Sequence, residues 1–157
     1  MDFHNEGLPD NLFELLNGRA LHDKQHEAMM LLTTTQDLWP HTAMVSVGEV
    51  VAVDRTHLRL AMWPSTTTTQ NLERTGQAML VLFYGAKAYY LRLSVEALAD
   101  HKAARHPRRR FSAKVDGVRE DVAKYADITS GVQIQLKEPG DVLSRWQETI
   151  EDLLADD

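Results

Sequence analysis

The chain contains no cysteine, which excludes disulfides, thiolate nucleophiles and cysteine-ligated metal centres. No apolar stretch approaches the length of a membrane span. The opening residues, Met-Asp-Phe-His-Asn-Glu, lack the basic and apolar regions of a secretory leader. Basic charge is not in excess either: 17 Lys and Arg stand against 23 Asp and Glu, a formal net charge of −6. That balance argues against general nucleic-acid binding, which needs a basic field. No nucleophile elbow, phosphate-binding Walker loop or dinucleotide fingerprint occurs. A cytoplasmic protein with neither nucleic acid nor membrane as partner is the expectation.

What is present is ordinary for a globular chain, at 43% hydrophobic and 25% charged. The 157 residues suffice for one domain, 1–157, with a real core. Period-two alternation dominates the middle. Strand-like runs fall at 27–35, at 42–53 with Gly48 inside as a bulge or bend, and at 57–63 and 78–84. In 89–97 Tyr89, Leu91, Leu93, Val95 and Ala97 face one side while Tyr90, Arg92, Ser94 and Glu96 face the other. Val132, Ile134 and Leu136 alternate with Gln133, Gln135 and Lys137 in a last run. Six strands joined mostly by short turns predict a mainly β fold, an antiparallel sheet closing into a barrel.

Helices should frame it. Asp10–Leu16 reads as a short amphipathic helix, and Val118, Val122 and Tyr125 have helical spacing. Pro139-Gly140 opens a helix with Val142, Leu143, Trp146, Ile150, Leu153 and Leu154 on one face. The segment 100–117, basic from His101 to Arg110 and broken by Pro107, reads as an exposed loop.

Residues 61–76, Ala-Met-Trp-Pro-Ser-Thr-Thr-Thr-Thr-Gln-Asn-Leu-Glu-Arg-Thr-Gly, are the most informative stretch. An apolar run stops at Trp63-Pro64, and five hydroxyl residues then lead into a short helix. Thr67 and Gln70 have capping-box spacing, and Gly76 falls where a left-handed C-cap belongs. A hydroxyl-rich helix N-terminus after a strand favours an anion, through free N–H groups and the helix dipole.

The order of strand, Pro-His-Thr-Ala-Met-Val-Ser at 40–46, hairpin, strand, hydroxyl-rich turn, helix and two more strands resembles the FMN-binding split barrels related to pyridoxamine 5'-phosphate oxidase, of the general stress protein type. The match spans about residues 25–98. The resemblance implies a six-stranded antiparallel split β-barrel with peripheral helices, a homodimer with flavin sites in its interface, and FMN as cofactor. It places Ala43, Met44, Val45 and Ser46 beside the isoalloxazine ring. Met62 and Trp63 would flank the ring or ribityl chain, and Thr66, Thr67 and Thr68 would face the phosphate. The family's Ser-Arg-Lys-like triplet at the phosphate turn is replaced here by Thr66-Thr67-Thr68, and Ala43 stands where an arginine is common. Charge-assisted bonds are about twice as strong as neutral ones, so weaker FMN retention follows. Arg105, Arg108, Arg109 and Arg110 could supply charge by folding over, but a solvated loop is the simpler expectation.

Other constellations carry less. His22 and His26 lie four apart beside Asp23 and Glu27, but no third ligand is placed and Glu27 opens a strand, so no metal site is assigned. His41 stands at the mouth of the flavin site the resemblance implies. No residue is an evident acid or base. Two readings follow: an FMN-dependent oxidoreductase acting on a small molecule, or a non-catalytic protein binding flavin, haem or deazaflavin. A barrel that has lost its ligand stands behind them.

Overall fold

The strands are β1 (Ala28–Thr34), β2 (Pro40–Ser46), β3 (Val50–Ala52), β4 (His57–Met62), β5 (Gln77–Tyr84), β6 (Lys87–Ala97) and β7 (Arg109–Asp121). The helices are α1 (Asp10–Leu16), α2 (Leu21–Lys24), α3 (Thr67–Thr75) and α4 (Pro139–Leu154). The computed structural model describes residues 2–156. All strand pairs are antiparallel, in the sheet order β2-β1-β5-β6-β7-β4-β3. The mainly β split-barrel architecture holds, with seven strands instead of six. No helix among the described residues is long and apolar enough to cross a membrane.

Local chemistry accounts for the elements. In β6 Tyr89, Leu91, Leu93 and Val95 are buried while Arg92, Ser94 and Glu96 are exposed, as the alternation requires. Helix α1 drives Leu12, Leu15 and Leu16 into the core that Leu31, Leu58, Leu60, Leu80, Leu91 and Phe111 also fill. Each such side chain contributes about 1.5–3 kcal/mol by leaving water. Gly76 ends α3 at φ 66°, its N–H donating to the Leu72 carbonyl, as the sequence predicts.

Three expectations are corrected. The run 42–53 is two strands and not one, and the bend expected at Gly48 is a full turn, in which Val47, Gly48 and Glu49 carry the chain from β2 into β3. The 100–117 loop and the helix through Val118 are replaced, from Arg109 on, by β7, the longest strand. Phe111, Ala113 and Val115 are buried in it, but the register opposite Arg92 and Leu93 skips Asp116. That extra residue shifts the inward phase so that Val118 points into the core. Val122 and Tyr125 are exposed, the latter at 95%. The run 132–137 makes only one bridge, Glu27 to Gln133, and is no strand of the sheet.

Strands β2 and β3 are consecutive in the chain yet lie at opposite edges of the sheet. Three residues, 47–49, span the gap. The sheet therefore curls until its edges approach there, and α4 packs on β3, β4 and the turn at Gly48 with Trp146, Ile150 and Leu153 buried.

Candidate functional site

Where the edges meet, one cleft of about 240 Å³ opens. Its walls come from Ala43, Met44 and Val45 of β2 and from Ala61, Met62 and Trp63 at the end of β4. The turn residues Gly48 and Glu49 form one side, Thr66 and Thr68 another. Arg108, just before β7, and Arg145, Trp146 and Thr149 of α4 complete it. Of the nine residues singled out from sequence, seven line this cleft: Ala43, Met44, Val45, Met62, Trp63, Thr66 and Thr68. Ser46 and Thr67 do not. Ser46 is buried and donates its hydroxyl to Glu49 Oε1 at 2.9 Å, and Thr67 is exposed.

The hydroxyls before α3 divide their work. Thr66, not Thr67, is the N-cap, its Oγ1 accepting the Thr69 N–H at 3.2 Å and donating to Thr69 Oγ1 at 3.0 Å. Thr69 in turn donates to the Trp63 carbonyl at 2.6 Å. With the cap one residue early, the Gln70 side chain bonds the Ser65 carbonyl instead of closing a capping box on Thr67. Thr68 is only 5% exposed, lines the cleft, and its hydroxyl has no hydrogen-bond partner among the described residues. The N–H groups of Thr67 and Thr68 open the helix and have no helical acceptor.

Charge enters from two elements: the basic segment, whose Arg108 folds over as the less simple of the two sequence expectations had it, and α4, whose Arg145 the sequence did not connect to the site. Arg108 lies over the Trp63 ring, its Cζ 3.5 Å from the centroid. Burial first, and the neighbouring Arg145 second, push its guanidinium below the usual arginine range, against the pull of Glu49. Glu49 is the one carboxyl among the lining residues. Burial lifts it above the ordinary carboxylate range, although the Ser46 hydroxyl and amide bond to it and both arginines face it. The expected solvated basic loop is also corrected. Arg105 pairs with Glu151 at 2.8 Å and Asp152 at 3.2 Å on α4. Arg109 pairs with Glu73 at 3.2 Å and Asp100 at 3.3 Å, and buried Arg110 bonds the Ala155 carbonyl at 2.7 Å.

The remaining residues of interest lie elsewhere. Tyr89 is a core residue whose hydroxyl accepts from Asn11 at 2.9 Å, and Tyr90, on the other face of β6, bonds Asp121 at 3.1 Å. His22 bonds neighbouring Asp23, and His26 the Ile134 carbonyl. His41 does not line the cleft.

An FMN-like group can be tested against these walls. Apolar side chains on the edge strand at Ala43–Val45, an orphan hydroxyl at Thr68, free helix-start N–H groups and two cationic side chains fit a flat ring carrying a phosphate.

No protein-family model matches the chain. It is 51% identical over 146 residues to the uncharacterized protein YclD of Bacillus subtilis (strain 168), covering 93% of this chain and 95% of that protein. Its fold is similar to that of a candidate pyridoxamine 5'-phosphate oxidase from Lactobacillus delbrueckii, with a TM-score of 0.59 at 16% identity, over 75% of this chain and 98% of the other. A tagged HupZ variant from Group A Streptococcus aligns with a TM-score of 0.57 at 14% identity, over 72% and 98% of the two chains. A third structure, from Clostridium acetobutylicum, is related to general stress protein 26 and described as of the pyridoxinephosphate oxidase family. It aligns with a TM-score of 0.51 at 14% identity, over 80% of this chain and 97% of that one. At such identities the likeness is one of fold.

Proposed function

We propose that this chain, which belongs to the family of Bacillus subtilis YclD and folds as a pyridoxamine 5'-phosphate oxidase-like split barrel, binds FMN and serves as an oxidoreductase for a small molecule. The observation that carries the reading is convergence: β2, the end of β4 and the start of α3 contribute to one cleft. The ring would lie along Ala43–Val45, flanked by Met62 and Trp63, with the phosphate at the start of α3 beside Thr68. Bound flavin would supply two-electron chemistry, while the chain orients it and keeps water away.

The cleft of one chain, about 240 Å³, is smaller than the roughly 300–1,000 Å³ typical of cofactor sites. Its rim carries Met44, 57% exposed, and Trp63, 62% exposed. Both facts support a homodimer in which a second copy completes the site.

The visible spectrum of the purified protein tests the proposal, followed by titration with FMN and riboflavin. A flavin spectrum, or tighter binding of FMN than of riboflavin, is expected. A Soret band would assign haem instead, and no binding of either flavin would mark a barrel without this ligand.

A further inference from the structure

Two guanidinium groups face one small cleft from separate elements, Arg108 from the segment before β7 and Arg145 from α4. Neither has a carboxylate within ion-pair distance among the described residues. Their neighbours differ: Arg105 and Arg109 each hold two or more carboxylates. Arg108 spends one N–H on the Pro107 carbonyl at 2.9 Å and rests its flat face on Trp63. Most of its fork stays unused. Glu49 faces both arginines and offsets part of their charge, but it makes no ion pair with either, its oxygens accepting from the Ser46 hydroxyl at 2.9 Å and the Ser46 amide at 3.3 Å. Two like charges in a part-buried cleft repel unless an anion lies between them.

We propose that Arg108 and Arg145 are the two arms of a clamp for a doubly charged oxyanion, the phosphate monoester of the ligand, closing it against the start of α3. The inference rests on the cleft being the FMN site. It adds that the charge missing from Thr66-Thr67-Thr68 is delivered by the 99–108 segment and α4. A dianion matches the pair in charge, and each planar guanidinium can offer a phosphate two parallel N–H bonds. The Thr68 hydroxyl and the first amides of α3 supply neutral donors. Both arms belong to one body. Arg105 is bonded to Glu151 and Asp152, and His106 to Glu148 at 3.1 Å, so the segment bearing Arg108 is tied to the helix bearing Arg145. Such preorganisation lowers the cost of ordering the clamp on binding.

The test titrates FMN and riboflavin into wild type, Arg108→Gln, Arg145→Gln and the double variant, following flavin fluorescence. In parallel, thermal unfolding is measured with inorganic phosphate against chloride at equal ionic strength. Each single variant should weaken FMN about tenfold or more, as loss of a charge-assisted bond implies, and leave riboflavin within about twofold. Phosphate should raise the wild-type melting temperature and lose that effect in the double variant. If wild type prefers FMN to riboflavin but the variants match it, the clamp is wrong and the FMN reading stands. If wild type binds no flavin yet phosphate still stabilises it through the two arginines, the clamp stands and the FMN reading falls. If FMN and riboflavin bind alike and phosphate does not stabilise wild type, the clamp is overturned.

Discussion

Trp146 lies flat against Gly48: a Cβ placed on Gly48 would stand 2.1 Å from the indole Cγ. The contact presses α4 onto the turn that joins the two sheet edges, beside Glu49 and the cleft. Gly48 is required here by close approach, since its neighbour is a packed ring and not the tip of a flexible chain. Gly48→Ala should cost about 1–3 kcal/mol, the range for overpacking. That corresponds to roughly 2–4 °C in melting temperature per kcal/mol for a chain of this size. Thermal denaturation checks it, and an unchanged melting temperature would show that α4 is not seated on the turn.

Thr66 and Thr68 should separate stability from binding. Thr66→Ala removes the N-cap of α3 and should cost about 1 kcal/mol of stability. Thr68→Ala removes a hydroxyl with no protein partner and should leave the melting temperature nearly unchanged. It should instead weaken FMN about tenfold, the equivalent of about 1.5 kcal/mol for a bond to a charged acceptor. Denaturation and flavin titration on the same two variants give both numbers. Equal losses of stability would mean that both threonines only shape the helix start.

Glu49 gives a pH signature. Burial raises its pKa in the folded chain, so the folded state holds the proton more tightly than the unfolded one. Its contribution is therefore fully favourable below the unfolded value of about 4.3 and is lost as pH rises through the folded value. Glu49→Gln keeps an oxygen to accept from Ser46 and cannot ionise. The variant should match wild type near pH 4 and be the more stable of the two near pH 8. Melting curves at the two pH values decide, and a variant less stable at pH 8 would refute the reading.

The homodimer is a fourth prediction. Light scattering at micromolar concentration should give about twice the 17.8 kDa of one chain. If the rim of the cleft lies in the interface, Trp63→Glu should shift the mass toward a single chain. A single-chain mass for the wild type would remove the support that a second copy lends to the cofactor site.

Much of this was legible in residue order, for reasons that differ between elements. Helix α1 was readable because Leu12, Leu15 and Leu16 fall on one face. Strand β6 was readable because nothing interrupts its alternation on the inward side. Strand β7 was hidden twice over. Its charges, Arg109, Arg110, Lys114, Asp116 and Arg119, resemble a solvated loop, and the extra residue Asp116 breaks the period on which strand recognition depends. The long run 42–53 concealed a turn because Val47 and Val50, on either side of Gly48 and Glu49, are as apolar as strand residues. In the site, the β2 and α3 sides were found from order and spacing. Arg108 was named only as the less simple alternative to a solvated loop, and Glu49, Arg145 and Thr149 were not found, because only the closing of the sheet brings positions from 49 to 149 to one cleft. For α4 the available signal was Trp146 on its apolar face, which marked that helix as a cover without saying what it covers.

Because β2 and β3 are the two free edges of the sheet, the three-residue turn between them brings unpaired backbone from both ends of the barrel to one seam. An exposed strand edge is a template for pairing with other chains. The cleft lies on that seam, so a ligand seated in it would cover backbone of both edges. Loss of that ligand would then uncover a surface able to pair with another chain. A filled cleft would protect the protein against aggregation beyond any gain in its melting temperature, and amide hydrogens along the seam would exchange more slowly when the site is occupied.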